Sequence, residues 1–147
     1  MTIPVAATVD LFTIGYGGRP PAELCAVLTA AGVATVVDCR LRPDRASLGA
    51  YVRSADPAKG IAGLLDRAGL AYVSLPELGN PFRDDPDWSR RYRLLLDGAA
   101  AVLTERLNTV AGPIALLCAE RAVVDCHRLP LAEHLVGTGR YRLAAHL

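Results

Sequence analysis

The chain has 147 residues, of which 52% are hydrophobic and 21% are charged, and its formal net charge is +1. This is the composition of a globular protein that is long enough to bury a core of its own, and it excludes a disordered chain. The near balance of 16 basic and 15 acidic side chains argues against a general nucleic-acid or membrane-surface binder, although it leaves room for a local basic pocket.

Three further features of the sequence predict a cytoplasmic protein. Met1 to Val9 has no positively charged start and no apolar stretch long enough for export. No run approaches the roughly 18 apolar residues that indicate a membrane span. Four cysteines do not make a disulfide framework in a chain of this size, so we expect reduced thiols at Cys25, Cys39, Cys118 and Cys126.

Apolar runs alternate along the chain with amphipathic stretches, which is typical of βαβ units. The runs that predict strands are Leu11 to Tyr16, Val33 to Cys39, Leu70 to Leu75, Pro113 to Cys118 and Tyr141 to Leu147. The stretches that predict helices are Ala22 to Ala31, Ile61 to Ala68, Trp88 to Leu107 and Leu129 to Val136. The order predicts a single three-layer α/β domain over residues 1–147, with a mostly parallel sheet of four to five strands.

Glycine or polar residues stand at the ends of three predicted strands. Gly15 to Arg19 closes the first, Asp38 to Arg40 the second, and Cys118 to Glu120 the fourth. Because ligands bind at the carboxyl ends of strands in open parallel sheets, we expect these three ends to meet at one crevice. The glycines after the first strand indicate either a close approach to an anion or a tight turn without a ligand. They match neither the Walker nor the dinucleotide pattern, so neither ATP nor NAD is supported.

Asp38 lies one residue inside the end of the second predicted strand, where a carboxylate requires a partner. Arg40 or Arg42 can provide it. One interpretation is a buried ion pair that shapes the loop. The other has the arginines facing an anionic substrate, because a guanidinium group fits a carboxylate or a phosphate.

The segment after the fourth predicted strand carries the most chemical groups. Pro130 is tolerated only in the first turn of a helix, so the last helix must start near Cys126 or His127. Free N–H groups and the helix dipole at such a start favour an anion. A nucleophile, an acid or base and an anion ligand would meet there, as an enzyme requires. The candidate catalytic residues are Glu120, Cys118, Cys126 and His127, and Arg128 is the candidate anion ligand.

The spacing of the cysteines and arginines does not identify the reactive group. No arginine follows Cys118 at the spacing of a Cys-x5-Arg or Cys-x4-Arg loop. A metal site of Cys118, Cys126 and His127 is compatible with the residue types, but neighbouring helical residues diverge by about 100°. The chain also lacks a CxxC pair, so we predict no metal and no cofactor. A Cys118–Cys126 disulfide is a further option, and Glu120 could act without a thiol, for example on an N-glycosidic bond.

The runs TIGYGGR, VVDCRLRP, LPELGNP and ALLCAE, followed by CHR and an apolar helix, resemble the domain of unknown function 488 family over nearly the whole chain. The resemblance implies a small α/β fold with a Rossmann-like sheet, and it implies no agreed activity. The residues that match the family motif are Gly15, Tyr16, Arg19, Asp38, Arg40, Gly79, Asn80, Cys118, Glu120, Cys126, His127 and Arg128. Many relatives are expected to have a serine after CHR, whereas this chain has Leu129, which removes a possible hydroxyl ligand or helix cap.

The leading hypothesis is an enzyme, a hydrolase or a transferase, that acts on a small anionic or nucleotide-like substrate. Glu120 or a cysteine thiol would be its reactive group. The expected substrate-binding residues are Gly15, Tyr16, Arg19, Asp38, Arg40, Asn80 and Arg128, and the aromatic side chains that could add to the pocket are Tyr51, Trp88 and Tyr92. The alternatives are a non-catalytic nucleotide or metabolite sensor, and a nucleic-acid-processing accessory protein that uses the arginine-rich loop. The oligomeric state stays open.

Overall fold

The strands and helices follow the order that the sequence predicts. A computed structural model describes residues 7–147, and this part of the chain forms five β-strands and four α-helices. The strands are β1 (Val9–Gly15), β2 (Thr35–Asp38), β3 (Ala71–Ser74), β4 (Ile114–Cys118) and β5 (Tyr141–His146). The helices are α1 (Pro21–Ala30), α2 (Gly60–Arg67), α3 (Trp88–Leu103) and α4 (Arg128–Gly137). Residues 1–6, where no export signal is predicted, lie outside the described residues.

The five strands form one sheet in the order β3-β2-β4-β1-β5, and each neighbouring pair is parallel. This confirms the predicted Rossmann-like α/β fold. The register sets Gly15 beside Cys118, and Asp38 beside both Leu117 and Ser74. The carboxyl ends of β1, β2, β3 and β4 therefore lie at the same edge of the sheet.

Helices cover both faces of the sheet, which gives the three predicted layers. Successive side chains of a strand point to opposite faces, and β4 shows the consequence. Leu116 packs in a core cluster with residues of α3 and α4, and Leu117 packs in a second cluster with residues of α1 and α2. Because both faces of β4 are buried, its sequence is a continuous apolar run.

The connections between strands leave the sheet toward opposite faces. After β1 and β2 the chain turns toward α1 and α2, and after β3 and β4 it turns toward α3 and α4. Since β4 lies between β1 and β2, neighbouring strands send their loops in opposite directions and leave a crevice at their carboxyl ends. Open parallel sheets bind ligands at this position.

The predicted ends of the helices hold with one clear exception. Gly32, with φ of +79°, follows α1, where a left-handed residue stops a helix without steric cost. Helix α3 ends at Leu103 instead of Leu107, and just past its end the Thr104 hydroxyl donates to the carbonyl oxygen of Ala100 at 2.7 Å. Within residues 7–147, no helix combines the length and the apolar character needed to cross a membrane.

Candidate functional site

A cleft of about 610 Å³ opens at the carboxyl ends of β1, β2 and β4. Its volume lies within the range of small-molecule sites, about 300 to 1,000 Å³. Six of the predicted site residues line it, namely Tyr16, Arg40, Asn80, Cys118, Glu120 and His127. Five others do not, namely Gly15, Arg19, Asp38, Cys126 and Arg128.

Gly15 faces the backbone of the protein itself. A Cβ atom at this position would overlap the carbonyl oxygen of Glu120, so the loops after β1 and β4 touch because residue 15 has no side chain. The Tyr16 N–H group donates to the carbonyl oxygen of Cys118 at 3.0 Å, and the Arg19 Nε group donates back to Gly15 at 3.0 Å. Past β1, the Arg19 N–H group donates to the carbonyl oxygen of Tyr16 at 2.9 Å and Gly18 has φ of +68°. The glycine pair 17–18 therefore forms a tight turn, which is one of its two interpretations.

Asp38 forms a buried ion pair with Arg40 at the edge of the cleft. Arg40 Nε donates to Oδ1 of Asp38 at 2.8 Å and Nη2 donates to Oδ2 at 2.6 Å, while the Tyr72 hydroxyl donates to Oδ2 at 2.6 Å. The remaining Arg40 nitrogen, Nη1, donates to the Tyr16 hydroxyl at 3.3 Å. Asp38 therefore positions Arg40, and Arg40 together with Tyr16 forms part of the cleft wall.

Arg128 is fully buried, and its guanidinium group is bound within the protein. Nη1 donates to the carbonyl oxygen of Glu120 at 2.5 Å and to Sγ of Cys118 at 3.0 Å. Nη2 donates to the carbonyl oxygen of Arg121 at 2.8 Å, and Nε to the Thr13 hydroxyl at 3.3 Å. The predicted role of Arg128 as a substrate ligand has no support from this geometry. The side chain instead holds the loop after β4 in place.

Cys118 and Cys126 meet at one side of the cleft. Their Sγ atoms lie at disulfide-bonding distance and their Cα atoms are 7.5 Å apart. The prediction of four reduced cysteines is therefore not supported for this pair, whereas Cys25 and Cys39 are free. The backbone N–H group of Arg128 points to Sγ of Cys126 at 3.4 Å. Cys118 lines the cleft, and Cys126 is buried outside its wall.

His127 precedes α4 as its N-cap residue, which is the position that Pro130 predicts for the start of the helix. Its Nε2 atom lies 2.8 Å from the carbonyl oxygen of Cys39. A carbonyl oxygen can only accept, so Nε2 carries the hydrogen and the neutral ring keeps a lone pair on Nδ1. Nδ1 lies 3.7 Å from Sγ of Cys126. Burial lowers the pKa of this imidazole, and Tyr92 packs edge-on against it at 5.3 Å.

The side-chain ligand atoms of Cys118, Cys126 and His127 all lie within 4.8 Å of one another. The prediction that these residues hold no metal assumes that Cys126 and His127 are consecutive residues of one helix. In the structure Cys126 is extended, with φ of −126° and ψ of 144°, and α4 begins only at Arg128. The rotation of about 100° per helical residue therefore does not apply to this pair, and that objection to a metal site is wrong.

The rest of the cleft wall comes mainly from segments that the sequence analysis treats as connections. Trp88 lines the cleft, whereas Tyr51 and Tyr92 are buried in the core. The Asn80 side-chain oxygen accepts the N–H group of Phe82 at 2.9 Å and so fixes the turn that presents this ring. Arg42, which one interpretation of the Asp38 segment turns toward an anion, also lines the cleft. The lining residues that were not among the predicted site residues are Leu41, Arg45, Pro81, Phe82, Arg83, Asp84, Asp85, Ala119 and Asp125. The run of charged and aromatic residues directly after LGNP could have indicated that this segment lines the cleft.

The charge of the cleft is mixed. Arg42 forms an exposed ion pair with Asp44, with 3.4 Å between Nε and Oδ1. Arg45 and Arg83 have no carboxylate within ion-pair distance in the described part of the chain. The carboxylates in the lining are Asp84, Asp85, Glu120 and Asp125. The cleft thus offers cationic groups and hydrogen-bond acceptors to the same ligand.

Comparison with known proteins identifies the family. A family model described as Domain of unknown function DUF488 matches residues 21–135, which is more than half of the chain. Neither the comparison with curated proteins nor the comparison with solved structures gave a match. The matched range contains β2, β3 and β4 and most of the cleft residues. The chain therefore belongs to the family Domain of unknown function DUF488.

Proposed function

We propose that the protein is an enzyme that binds a small, planar, anionic substrate, of the nucleotide or nucleoside-like class, in the cleft. One observation carries this proposal. The same cleft joins two arginines that have no carboxylate partner among residues 7–147, aromatic rings, and a reactive end that contains a carboxylate, a sulfur atom and an imidazole. We also propose a cytoplasmic location, where cellular reductants keep thiols reduced.

The anionic part of the substrate would bind to Arg45 and Arg83. Both line the cleft, and among residues 7–147 neither has a carboxylate at ion-pair distance. A guanidinium group binds a phosphate or carboxylate through two parallel hydrogen bonds. Both side chains are exposed, so this attraction should weaken as the salt concentration rises.

The planar part of the substrate would stack on aromatic rings. Phe82 and Trp88 line the cleft and are half-buried, so their rings offer apolar surface to a ligand, whereas the Tyr16 ring packs against Tyr51 and Arg40 and forms part of the wall. The carboxylates of Asp84 and Asp125 lie in the same lining, where they would repel a long polyanion but accept hydrogen bonds from sugar hydroxyl groups. A small ligand with a single anionic group therefore fits the cleft better than a nucleic acid.

The reactive end contains Glu120, Cys118 and His127. Glu120 is half-buried, and its carboxylate has no ion-pair partner in the part of the chain that the structure describes. It can therefore take a proton from an attacking water or hydroxyl group, as a hydrolase or a transferase requires. The cluster of sulfur and imidazole groups would supply the second reactive group.

A thermal-shift panel tests the binding step. Adenosine, adenosine monophosphate and inorganic phosphate separate the contributions of the ring and the anion. We expect the monophosphate to raise the melting temperature most, with a smaller effect at high salt. The Arg45→Ala/Arg83→Ala double variant should lose this gain, and Arg53→Ala, which changes an exposed arginine outside the cleft, should keep it. If no compound of the nucleotide class stabilises the wild type, the proposal fails.

A turnover assay separates an enzyme from a non-catalytic sensor. The wild type and Glu120→Gln would each be incubated with the compounds that bind, and the products followed by mass spectrometry. We expect conversion by the wild type and a loss of at least about 100-fold in Glu120→Gln, with binding retained. Binding without conversion by the wild type would contradict the enzyme and identify a sensor.

A further inference from the structure

We propose that Cys118, Cys126 and His127 form a binding site for a divalent metal ion of the zinc class when the cysteine pair is reduced, with the fourth coordination position open to the cleft. The binding of the ion is independent of the proposed function. Its part in a reaction rests on that function.

The distance from Cys126 to His127 fits a tetrahedral ion. The two sulfur atoms lie at disulfide-bonding distance, and after reduction they would separate to the roughly 3.8 Å that such an ion requires. Zinc lies about 2.3 Å from cysteine sulfur and about 2.0–2.1 Å from histidine nitrogen, so a sulfur and a nitrogen on one tetrahedral ion are about 3.6 Å apart. Sγ of Cys126 and Nδ1 of His127 are 3.7 Å apart, and Sγ of Cys118 completes a set within 4.8 Å. The Cα atoms of the two cysteines are 7.5 Å apart. Disulfides usually span about 4.4–6.8 Å, whereas an ion between the two sulfur atoms suits a wider spacing.

The groups around the cluster also suit a metal. A histidine that binds a metal almost always donates its other ring N–H group to a carbonyl or carboxylate oxygen. His127 does this with the carbonyl oxygen of Cys39 at 2.8 Å, which leaves the Nδ1 lone pair on the side of the cysteines. Metal binding requires a neutral imidazole, and the hydrogen bond to Cys39 fixes the tautomer that can bind.

Arg128 provides a second, independent reason for negative charge at the two sulfur atoms. Its guanidinium group is buried, and the described residues place no carboxylate within ion-pair distance of it. A buried charge without a partner is costly. Cysteine thiolates would compensate it. The guanidinium group already donates to Sγ of Cys118 at 3.0 Å, and the backbone N–H group of Arg128 donates to Sγ of Cys126 at 3.4 Å.

The position of the cluster indicates an open coordination site. Cys118 and His127 line the cleft together with Glu120, whereas Cys126 does not. An ion held by these three ligands would therefore have its free side toward the cleft. Catalytic zinc sites have three protein ligands and one water molecule, and the ion makes that water a nucleophile near neutral pH. Glu120 lines the same cleft and would accept the proton of such a water.

The site forms in two balanced steps. A dithiol reductant transfers two electrons and two protons to the Cys118–Cys126 pair, which becomes two thiols while the reductant becomes a disulfide. The metal ion then replaces the two thiol protons, which are released to solvent. The oxidised pair has no thiolate to offer and should not bind the ion at this site.

Cobalt(II) titration of the reduced full-length protein tests the proposal, because cobalt reports its ligands through its absorption spectrum. We expect one ion per chain, the visible bands of a tetrahedral ion and an ultraviolet thiolate-to-cobalt band. Cys118→Ser and Cys126→Ser should each lose about half of the thiolate band. His127→Ala should keep that band but weaken zinc binding at least about 100-fold in competition with a chromophoric chelator. Cys25→Ser, a half-buried cysteine outside the cluster, is the matched control and should behave as the wild type.

A second measurement keeps the test valid if a variant folds poorly. In the wild type, zinc should slow alkylation of two of the four thiols relative to the metal-free reduced protein, and peptide mapping should identify these zinc-dependent sites as Cys118 and Cys126. No binding by the reduced wild type, equal losses in Cys25→Ser and Cys118→Ser, or protection of other cysteines would overturn the site. Azide should shift the visible cobalt bands, and an unchanged spectrum would overturn the open position.

The outcomes also separate this inference from the proposed function. Metal binding is measured without a nucleotide, and nucleotide binding by the thermal-shift panel can be measured on the oxidised protein. Metal binding without nucleotide binding would contradict the proposed function and leave the metal site intact. Nucleotide binding without metal binding would overturn the metal site alone.

Discussion

At the scale of single residues, the floor of the cleft depends on contacts between loops that are far apart in the chain. Gly15 lies against the backbone of Glu120, and Arg128 donates to the carbonyl oxygens of Glu120 and Arg121. These contacts fix where Glu120 and Cys118 stand in the cleft. The residues that surround the reactive groups are therefore as important for their geometry as the groups themselves.

Gly15→Ala should destabilise the protein, because the added Cβ atom would overlap the carbonyl oxygen of Glu120, which is backbone and cannot rotate away. We expect a loss of about 2 kcal/mol or more in the free energy of unfolding, measured by urea titration. Gly98→Ala is the matched control, since no atom of the described residues lies within 4 Å of its Cβ position in helix α3, its own helix backbone aside. That change should stabilise the protein by about 0.5–1 kcal/mol. Equal effects of the two changes would contradict the close contact at Gly15.

Asp38→Asn should be more damaging than its small change in size suggests. Asp38 is fully buried, and its loss of charge would leave the buried Arg40 without a counter-ion. We expect a cost of about 3–5 kcal/mol in the free energy of unfolding, measured by chemical denaturation. Asp44→Asn removes the carboxylate of an exposed ion pair and should have no measurable effect. A stable Asp38→Asn protein would show that Arg40 does not depend on this pair.

The sequence indicates which residues belong to the candidate site, but it does not reveal what each of them contacts. The TIGYGGR, CAE and CHR runs point to the correct edge of the sheet. Whether Arg128 faces a ligand or the protein interior depends on the carbonyl groups of residues 120 and 121, which no local pattern reveals. Asp38 and Arg40 pair as one of the two interpretations requires, because a carboxylate buried at a strand end needs a charged partner.

At the scale of elements, helix α4 directly follows the reactive end of the cleft. It begins directly after His127 and packs on β1, β4, β5 and α3. Its start was predictable, because Pro130 restricts a helix on its N-terminal side. The strands were also predictable, since parallel strands buried on both faces are continuous apolar runs. The close approach of Cys126 to Cys118 was not predictable, because it depends on the short 3-10 turn Val123–Asp125 and on the extended conformation of Cys126.

Leu131→Ala should loosen the docking of helix α4. Leu131 is fully buried between the helix and the sheet, so its truncation leaves a cavity. We expect a cost of about 2–5 kcal/mol in the free energy of unfolding, measured by urea titration. Leu94→Ala in α3 makes the same chemical change at a side chain that is 57% exposed, and it should stay within about 0.5 kcal/mol of the wild type. Similar costs for both would contradict this packing of α4.

At the scale of the whole molecule, the order of strands determines where a ligand can bind. β4 lies between β1 and β2, and the loops after them turn to opposite faces, so the crevice opens beside the reactive residues. This strand order was not predictable from the sequence, because local patterns specify strands and not their neighbours. The near-zero net charge agrees with a cleft in which arginines and carboxylates occur together.

Trp88 allows the binding site to be tested directly. It is the only tryptophan in the sequence and it lines the cleft, so its fluorescence reports on this site alone. Titration of the wild type with adenosine monophosphate should give a saturable change in Trp88 fluorescence. The change should be lost in the Arg45→Ala/Arg83→Ala variant and kept in Arg53→Ala. An unchanged signal in the wild type, or the same titration curve for all three proteins, would contradict the proposal that the cleft binds a small planar anion.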